Sequence, residues 1–370
     1  MIDLIILTIN IFFFIKKLKI PKNNDKFFEI FRKVDYFPIK IFTKSYKEIS
    51  NYLLNKFKIR NKQIELKNSE NENNTTIKTI KLYHQNINQR WIDLLKKDLD
   101  GKIKIVIDKE NPDYLIYATF GCEYYDEKYN NTIKIAFFTE NQLPDLNYAD
   151  YGVGLAHISY LDRFYTYPYF VFHINRENLC IQNFTIAREN ALKNPRTKFC
   201  GAVISNPEGM RVGFINELNK YKPIDMGGRY RNTVGGNVRN KIEFLSSYKF
   251  SIGMENSEGD GYLTEKIIDS FLAGTIPIYY GDYTIDEHIN PKTYILIRDR
   301  NDINLKIEYI KKIDNDDELY KSILREKLFI DDNFKEKVDN TRKKFMLNIF
   351  EQNIEFAKRK DNYHFNFDSD

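Results

Sequence analysis

The chain has 370 residues, which suits two domains of about 150 residues each, and its 42% of apolar residues is enough for packed cores. The formal charge of +5 is a small excess of 57 basic over 52 acidic residues, spread along the chain. Nucleic-acid binding needs a concentrated basic face, so we expect no nucleic-acid partner. The three cysteines lie far apart, which excludes a CxxC metal site and favours a reducing compartment.

Residues 1–75 form a hydrophobic and basic N-terminal accessory segment that ends in a polar linker. Its apolar run, residues 4–15, has 12 residues, whereas a membrane-spanning helix needs about 20. Lysines follow this run and none precedes it, so the positive-inside rule keeps the rest of the chain in the cytoplasm. We expect a cytoplasmic protein whose N-terminus contacts a membrane surface. The alternatives are a buried element and a Golgi-type membrane anchor.

From residue 77 onward, short apolar runs alternate with amphipathic helical patterns. Strands are predicted at 77–83, 102–107, 113–119 and 132–138, with a helix at 86–97 after the first. Continuous apolar strands that alternate with helices are typical of parallel sheets covered on both faces. We predict a first Rossmann-like domain at 76–175.

A second alternating unit begins near residue 199. Strands are predicted at 199–205, 250–254 and 275–280, and helices at 210–221, 240–248 and 261–274. This pattern predicts a second Rossmann-like domain at 176–300, followed by a charged helical tail at 301–370. The predicted fold class is therefore α/β, with two Rossmann-like domains that face a cleft.

The most informative segment is 249–282, which reads as strand, glycine- and acid-rich loop, helix and strand. The loop leads to a predicted helix N-terminus near Tyr262, where backbone N–H groups and the helix dipole favour a phosphate. Lys266 lies in the first turn, within reach of that phosphate, and Glu265 is placed to accept hydrogen bonds from sugar hydroxyls. An ordinary βαβ turn with a solvated Glu–Lys pair has the same spacing.

Residues 255–281, ENSEGDGYLTEKIIDSFLAGTIPIYYG, closely resemble the signature of glycosyltransferase family 10, the α1,3/4-fucosyltransferases. The resemblance implies a GT-B fold and GDP-fucose as donor. It also implies that four side chains surround the nucleotide, the pyrophosphate and the fucose. They are Asn256, Tyr262, Glu265 and Lys266.

Two upstream segments extend the resemblance. Ser205, Asn206 and Pro207 precede Arg211 in the family's S-N-P-x-x-x-R arrangement, which implies that Arg211 binds the donor phosphates. Phe138 to Asn141 resembles the family's F-[ST]-x-E-N segment, which implies that Glu140 is the catalytic base. On the residues alone, Arg211 reads as a surface arginine on a helix and Glu140 as a helix cap or surface residue.

The sequence offers no aspartate pair directly after a core strand of the kind that holds a metal in many glycosyltransferases. The Asp-x-Asp patterns at 314–316 and 368–370 lie in charged surroundings, and we interpret both as solvated charge. We expect no required metal or cofactor, while Mn²⁺ can stimulate product release. If a metal were required, the first residues to consider are Glu255, Glu258 and Asp260.

The resemblance therefore implies an inverting fucosyltransferase. It would move fucose from GDP-β-L-fucose to a hydroxyl of an oligosaccharide acceptor that contains N-acetylglucosamine or glucose, with an α1,3 linkage, as in protein glycosylation. Three alternatives remain. They are a transferase of the same fold with another nucleotide sugar, a non-catalytic carbohydrate-binding protein, and a basic protein that binds membranes or nucleic acid.

Overall fold

A computed structural model describes residues 77–158 and 160–359. The predictions made for residues 1–75 and for Asp368 and Asp370 lie outside the described residues. Within the described part, every paired strand belongs to one of two parallel sheets, which confirms the predicted α/β class. No helix of this part is both long and apolar enough to cross a bilayer.

The first sheet confirms the four strands predicted before residue 140. Its strands are β1 (Lys78–Gln85), β2 (Ile103–Ile107), β3 (Tyr114–Ala118), β4 (Ile133–Phe137), β5 (Tyr151–Gly154) and β6 (Phe164–Thr166). They lie in the order β2-β1-β3-β4-β5-β6, and all are parallel. The sequence did not predict β5 and β6, because runs of three or four residues carry no clear period. The helices of this part of the chain are α1 (Gln89–Leu99), α2 (Tyr169–Arg176) and α3 (Ile181–Lys193).

The second sheet has five parallel strands. They are β7 (Lys198–Ala202), β8 (Ile224–Met226), β9 (Tyr248–Ile252), β10 (Ile276–Tyr279) and β11 (Ile295–Leu296). The helices among them are α4 (Gly209–Leu218), α5 (Lys241–Leu245) and α6 (Glu265–Leu272). The strand order β11-β10-β9-β7-β8 reverses direction between β7 and β9. Ligands of open α/β sheets bind beyond the carboxyl ends of the strands at such a switch point.

Each sheet forms one layer with the helices that pack on it, and the sheet of β1–β6 belongs to the first layer. The helices beyond residue 301 pack into both layers and do not form a separate tail. They are α7 (Ile303–Asn315), α8 (Asp317–Arg325), α9 (Phe334–Phe350) and α10 (Ile354–Ala357). Ile310 of α7 joins the core of the second sheet, whereas Met346 of α9 joins the core of the first. Arg342 of α9 also donates to both carboxylate oxygens of Asp98 on α1, at 2.7 and 3.0 Å. The chain therefore returns to its first layer at the end.

The core of the first layer explains why β4 is rigid where it leads toward Glu140. All five residues of β4 are buried, and the Phe137 ring lies 4.2 Å from the Trp91 ring of α1, measured between centroids. β4 also pairs in parallel with β3 on one side and with β5 on the other, and these two ladders fix its register. The residues that follow Phe137 therefore leave the sheet at a defined point.

The prediction that the Asp314–Asp316 pattern is solvated is wrong for Asp314. This side chain is buried, and it accepts hydrogen bonds from Lys222 Nζ at 2.5 Å and Tyr221 Oη at 3.0 Å. Burial raises the pKa of Asp314, but these two hydrogen bonds and the positive charges of Lys222 and Lys249 together lower it below its usual value. Asp316 accepts from the Leu319 N–H at 2.9 Å and caps α8. Both aspartates are structural.

Candidate active site

A cavity of about 490 Å³ lies where the carboxyl ends of the two sheets meet. The loops after β7 and β9, on either side of the switch point, contribute Ser205, Asn206 and Met254. The first layer contributes Thr139 and Tyr169. All six side chains predicted for the site also line this cavity: Glu140, Arg211, Asn256, Tyr262, Glu265 and Lys266. The fold thus brings together residues that are up to 126 positions apart in the chain.

Glu140 lies three residues beyond the end of β4 and is half-buried. Its Oε2 atom lies 3.5 Å from the Tyr262 hydroxyl of the second layer, which is at the outer limit of a hydrogen bond. No other side-chain hydrogen bond or ion pair within the described ranges involves this carboxylate. It therefore keeps most of its acceptor capacity for a ligand.

Asn141 ties the loop that carries Glu140 to the second layer. Its Nδ2 atom donates to Ser257 Oγ at 2.9 Å and to the Glu258 carbonyl at 2.8 Å. A Cβ atom on Gly259 would lie 2.8 Å from Asn141 Oδ1, so a side chain there would displace the amide. The glycine-rich loop thus provides room for a contact that joins the two layers.

The helix N-terminus lies later in the chain than predicted. Tyr262 is not helical: its N–H donates to the Gly259 carbonyl at 2.9 Å within a turn. Thr264 has an extended backbone, and α6 begins at Glu265. The prediction of a helix N-terminus near Tyr262 is therefore wrong by three residues. The N–H groups of Tyr262 and Leu263 donate within a turn that Gly261, with φ at 85°, permits, and the helix begins after that turn. Lys266 does lie in the first turn.

Lys266 is paired with a carboxylate that lies entirely inside the protein. Its Nζ atom lies 2.6 Å from Glu255 Oε2, and Glu255 is 0% exposed. Burial alone lowers the pKa of Lys266, but the negative charges of Glu255 and Glu265 raise it above its usual value. Gly281, with φ at 153°, makes room for this pair, because a Cβ atom there would lie 2.5 Å from Glu255 Cγ. The ammonium group is therefore fixed in place and stays charged.

Glu255 also holds the start of the signature helix. Its Oε1 atom accepts from the Thr264 N–H at 2.9 Å and from Thr264 Oγ1 at 2.6 Å. A protein carboxylate thus already occupies part of the anion-binding capacity of this helix end.

Arg211 is buried, and most of its guanidinium is used within the protein. Nη1 donates to the Asn206 carbonyl at 2.7 Å, and Nη2 donates to the Met254 carbonyl and to Asn256 Oδ1, both at 2.8 Å. Arg211 thereby joins the two loops that flank the switch point. Its Nε atom is buried and has no hydrogen-bond partner in the described part of the chain. A donor of this kind is costly unless a ligand satisfies it.

Glu265 remains ionised at the cavity wall. Burial raises the pKa of this carboxylate, but the nearby positive charges of Lys266 and Lys241 lower it below its usual range. The wall therefore carries acceptors suited to hydroxyl groups next to cations suited to phosphate.

Sequence reasoning missed three further residues of the cavity, namely Tyr169, Arg176 and Lys241. Arg176 ends α2, and Lys241 begins α5. Neither lies in a motif that would indicate a binding role, because one basic residue at a helix end is a common feature. Only the fold shows that they lie at the same cavity as Glu265.

The acids named as metal candidates do not converge. Among the described residues, no three His, Cys, Asp or Glu side chains form a group able to hold a metal. The Glu258 carboxylate accepts hydrogen bonds from Tyr280 Oη at 3.1 Å and from the hydroxyl of Tyr283, while Asp260 is exposed.

Two family models match the chain in adjacent ranges. One is described as "Alpha-(1,3)-fucosyltransferase FucT N-terminal domain" and matches residues 77–173. The other is described as "Glycosyltransferase family 10 (fucosyltransferase) C-term" and matches residues 193–349. Together they cover both sheets of the described part.

Curated relatives match in the same region. The α-(1,3)-fucosyltransferase FucT of Helicobacter pylori is 32% identical over 227 residues, which is 54% of this chain and 48% of that protein. The human 4-galactosyl-N-acetylglucosaminide 3-α-L-fucosyltransferase 9 is 34% identical over 119 residues, or 32% of this chain and 33% of that protein. In these alignments the chain spans about half or less of the length of the curated relatives that it matches.

Solved structures agree with these matches. A crystal structure of an α1,3-fucosyltransferase has a TM-score of 0.60 and 26% identity, with 75% of this chain and 92% of that chain covered. A crystal structure of an α1,3-fucosyltransferase with GDP-fucose has a TM-score of 0.57 and 25% identity, with 73% and 91% covered.

Proposed function

The chain belongs to glycosyltransferase family 10, and we propose that it transfers fucose from GDP-fucose to a hydroxyl group of an oligosaccharide. Its fold is the GT-B arrangement of two Rossmann-like domains. One observation carries the proposal: Glu140 of the first layer and the signature residues of the second line a single cavity at the switch point. Further support comes from the structure of an α1,3-fucosyltransferase with GDP-fucose, which resembles this chain.

We infer an inverting mechanism with one displacement. The acceptor hydroxyl gives its proton to Glu140 while its oxygen attacks the anomeric carbon of fucose. The bond between that carbon and the β-phosphate oxygen breaks, and GDP leaves with the electron pair. The β-linked fucose of the donor becomes α-linked in the product, without a covalent intermediate. The half-buried carboxylate with spare acceptor capacity suits this role, because a general base must be within hydrogen-bond reach of the proton that it removes.

The second layer binds the donor in this proposal. Arg211 and Lys266 face the diphosphate, Glu265 accepts hydrogen bonds from fucose hydroxyls, and Asn256 and Tyr262 shape the pocket around them. Fixed positive charges stabilise the negative charge that develops on the leaving diphosphate. We propose that these groups suffice without a metal and that Mn²⁺ acts only on product release.

The acceptor that we propose contains N-acetylglucosamine or glucose, and the new linkage is α1,3. This proposal follows the names of the relatives, which include α1,3-fucosyltransferases. The predicted membrane contact and cytoplasmic location concern residues 1–75 and stay predictions.

A donor and acceptor panel tests this function. We would measure GDP or UDP release from GDP-fucose, GDP-mannose and UDP-galactose with Galβ1,4GlcNAc, Galβ1,3GlcNAc and lactose as acceptors. We expect release from GDP-fucose alone that depends on the acceptor, and an α1,3-fucosylated product by NMR. Acceptor-dependent release from another donor would reassign the donor. Tight acceptor binding with no release from any donor would favour the carbohydrate-binding protein.

A further inference from the structure

We propose that Arg176 and Lys241 bind the diphosphate of the donor and that a buried His173–Asp269 pair positions both cations. This inference rests on the proposed function and assigns residues that the signature does not include. Arg176 and Lys241 both line the cavity, with side chains that are 25% and 28% exposed.

A continuous hydrogen-bonded chain, which we call the relay, joins the two cations behind the cavity wall; it consists of Arg176, His173, Asp269 and Lys241. Arg176 Nη2 lies 2.8 Å from His173 Nδ1, and His173 Nε2 lies 3.1 Å from Asp269 Oδ1. The other oxygen of Asp269 accepts from Lys241 Nζ at 2.8 Å. The chain therefore links the end of α2, the middle of α6 and the start of α5, and both of its ends are cations at the cavity.

The direction of these hydrogen bonds fixes the histidine tautomer. A guanidinium has only donors, so His173 Nδ1 must accept from Arg176. The ring hydrogen is then on Nε2, from which it is donated to Asp269. His173 thus orients Arg176, and Asp269 orients Lys241.

The cavity lining carries more positive than negative side chains. Its four cations are Arg176, Arg211, Lys241 and Lys266, and its two carboxylates are Glu140 and Glu265. Half of these cations therefore come from residues outside the signature. A diphosphate needs such an excess, because its own charge must be balanced when it leaves water.

Donor capacity points the same way. Lys241 uses one of its three N–H bonds within the described part of the chain, on Asp269. Arg176 uses Nη2 on His173 and Nε on Glu177, while none of the described residues accepts from its Nη1. Arg211, in contrast, already makes three hydrogen bonds inside the protein. Arg176 and Lys241 therefore line the cavity with donors that the protein leaves unused, which suits phosphate oxygens: the guanidinium can bind two of them and the ammonium acts as a point charge.

Calorimetry with GDP and with guanosine tests the phosphate contact. We expect Lys241→Ala and Arg176→Ala each to raise the Kd for GDP by about 10-fold or more, the usual scale for a charge-assisted hydrogen bond, and to leave the Kd for guanosine unchanged. The control is Lys220→Ala, which removes an exposed, ion-paired lysine away from the cavity. An unchanged Kd for GDP in both variants, or an equal loss for guanosine, would overturn the assignment.

Two substitutions of the histidine test the relay. His173→Leu removes both hydrogen bonds, whereas His173→Gln keeps one acceptor and one donor. We expect the leucine variant to lose GDP affinity by several-fold and the glutamine variant to regain part of it, at matched thermal stability. Normal GDP affinity in a folded leucine variant would remove His173 from the positioning role.

The wild-type protein separates this inference from the proposed function. If it transfers fucose from GDP-fucose and the Lys241 and Arg176 variants bind GDP normally, only the relay inference fails. If it binds no GDP at all, the proposed function fails with it.

Discussion

The two sides of the cavity are built differently. On the second layer, Glu255 is fully buried and accepts hydrogen bonds from Thr264 and Lys266, and Arg211 joins two loops through three hydrogen bonds. On the first layer, Glu140 is half-buried and has one contact, at 3.5 Å. The second-layer side chains are thus held in place by contacts within the protein, while the Glu140 carboxylate of the first layer has most of its acceptor capacity unused.

This difference matches what each side is proposed to do. A leaving diphosphate is stabilised by charges whose positions do not change during the reaction, so a rigid wall is an advantage. A general base must exchange a proton with an incoming hydroxyl, and a carboxylate saturated by internal donors would be a poor base. Substitution of the base Glu140 should therefore change different measured quantities from substitution of the cations, which include Arg176 of the first layer.

The largest effect is expected for Glu140→Gln. Transfer should fall by about 10²–10⁴-fold, the usual contribution of a general base, with the Kd for GDP unchanged. Glu123→Gln is the matched control, since Glu123 is an exposed acid that follows the neighbouring strand β3. Transfer near the wild-type rate, with kcat measured at saturating donor and acceptor, would remove Glu140 from the base role.

Glu255→Gln should chiefly reduce stability. The substitution leaves the Lys266 ammonium without its buried partner, and loss of one member of a buried ion pair costs about 3 kcal/mol or more. Urea unfolding measures this loss. The control is Asp260→Asn, an exposed acid five positions along the same loop. A variant as stable as the wild type would show that the second layer is less rigid than its contacts indicate.

Arg211→Ala and Lys266→Ala should each weaken both GDP and GDP-fucose. Hydrogen bonds to charged groups contribute about 1.5–3 kcal/mol, and both side chains are assigned to the diphosphate. Calorimetry on folded variants measures the change, with the exposed Arg239→Ala as control. Unchanged GDP affinity would contradict the assignment and leave both residues with a structural role alone.

Asn141→Ala should reduce the rate of transfer without weakening donor binding. The substitution removes two neutral hydrogen bonds that join the two layers, each of about 1 kcal/mol. We expect kcat to fall by about 10-fold with the Kd for GDP unchanged, because the loop that carries Glu140 loses its hold on the second layer. Asn147→Ala, an exposed residue of the same connection, is the control. A loss confined to GDP affinity would show that Asn141 serves the donor loop instead.

The smallest effect is expected from metal removal. Because the cavity has four lysine and arginine side chains that can balance the diphosphate, transfer in excess EDTA should keep a substantial fraction of the untreated rate. Initial rates with and without EDTA, and after addition of Mn²⁺ or Mg²⁺, measure this. Complete loss in EDTA, restored by one divalent ion, would show a required metal.

Local patterns predicted much of the fold. The runs at 77–138 are long enough to show strand character, and each became a parallel strand. The short strands β5 and β6 depend on their partners for hydrogen bonds, and such partners cannot be read from three or four residues. The partners of Asp314 also come from distant positions, since Lys222 lies 92 residues away in the chain.

The sequence predicted the location of the site but not the hydrogen bonds and ion pairs within it. A resemblance of motifs placed Glu140, Arg211 and Lys266, and all three line one cavity. The motif does not indicate that Lys266 is paired with Glu255 or that Arg211 joins two loops. Nor does it indicate Arg176 or Lys241. Those properties depend on contacts between several loops and helices, and the spacing of residues within one segment does not predict such contacts.

The return of α9 to the first layer limits how the cavity can open. Within the described residues, the chain crosses between the layers twice, once after α2 and once before α9. The Phe170 ring of α2 and the Phe334 ring of α9 have centroids 5.5 Å apart, so the two first-layer helices that border these crossings are in contact. Two covalent links that border one contact favour a hinge rotation of the layers over a shear motion of one layer past the other. Any opening that releases GDP should therefore be a swing about this aromatic pair, with the largest displacement at the edge farthest from it.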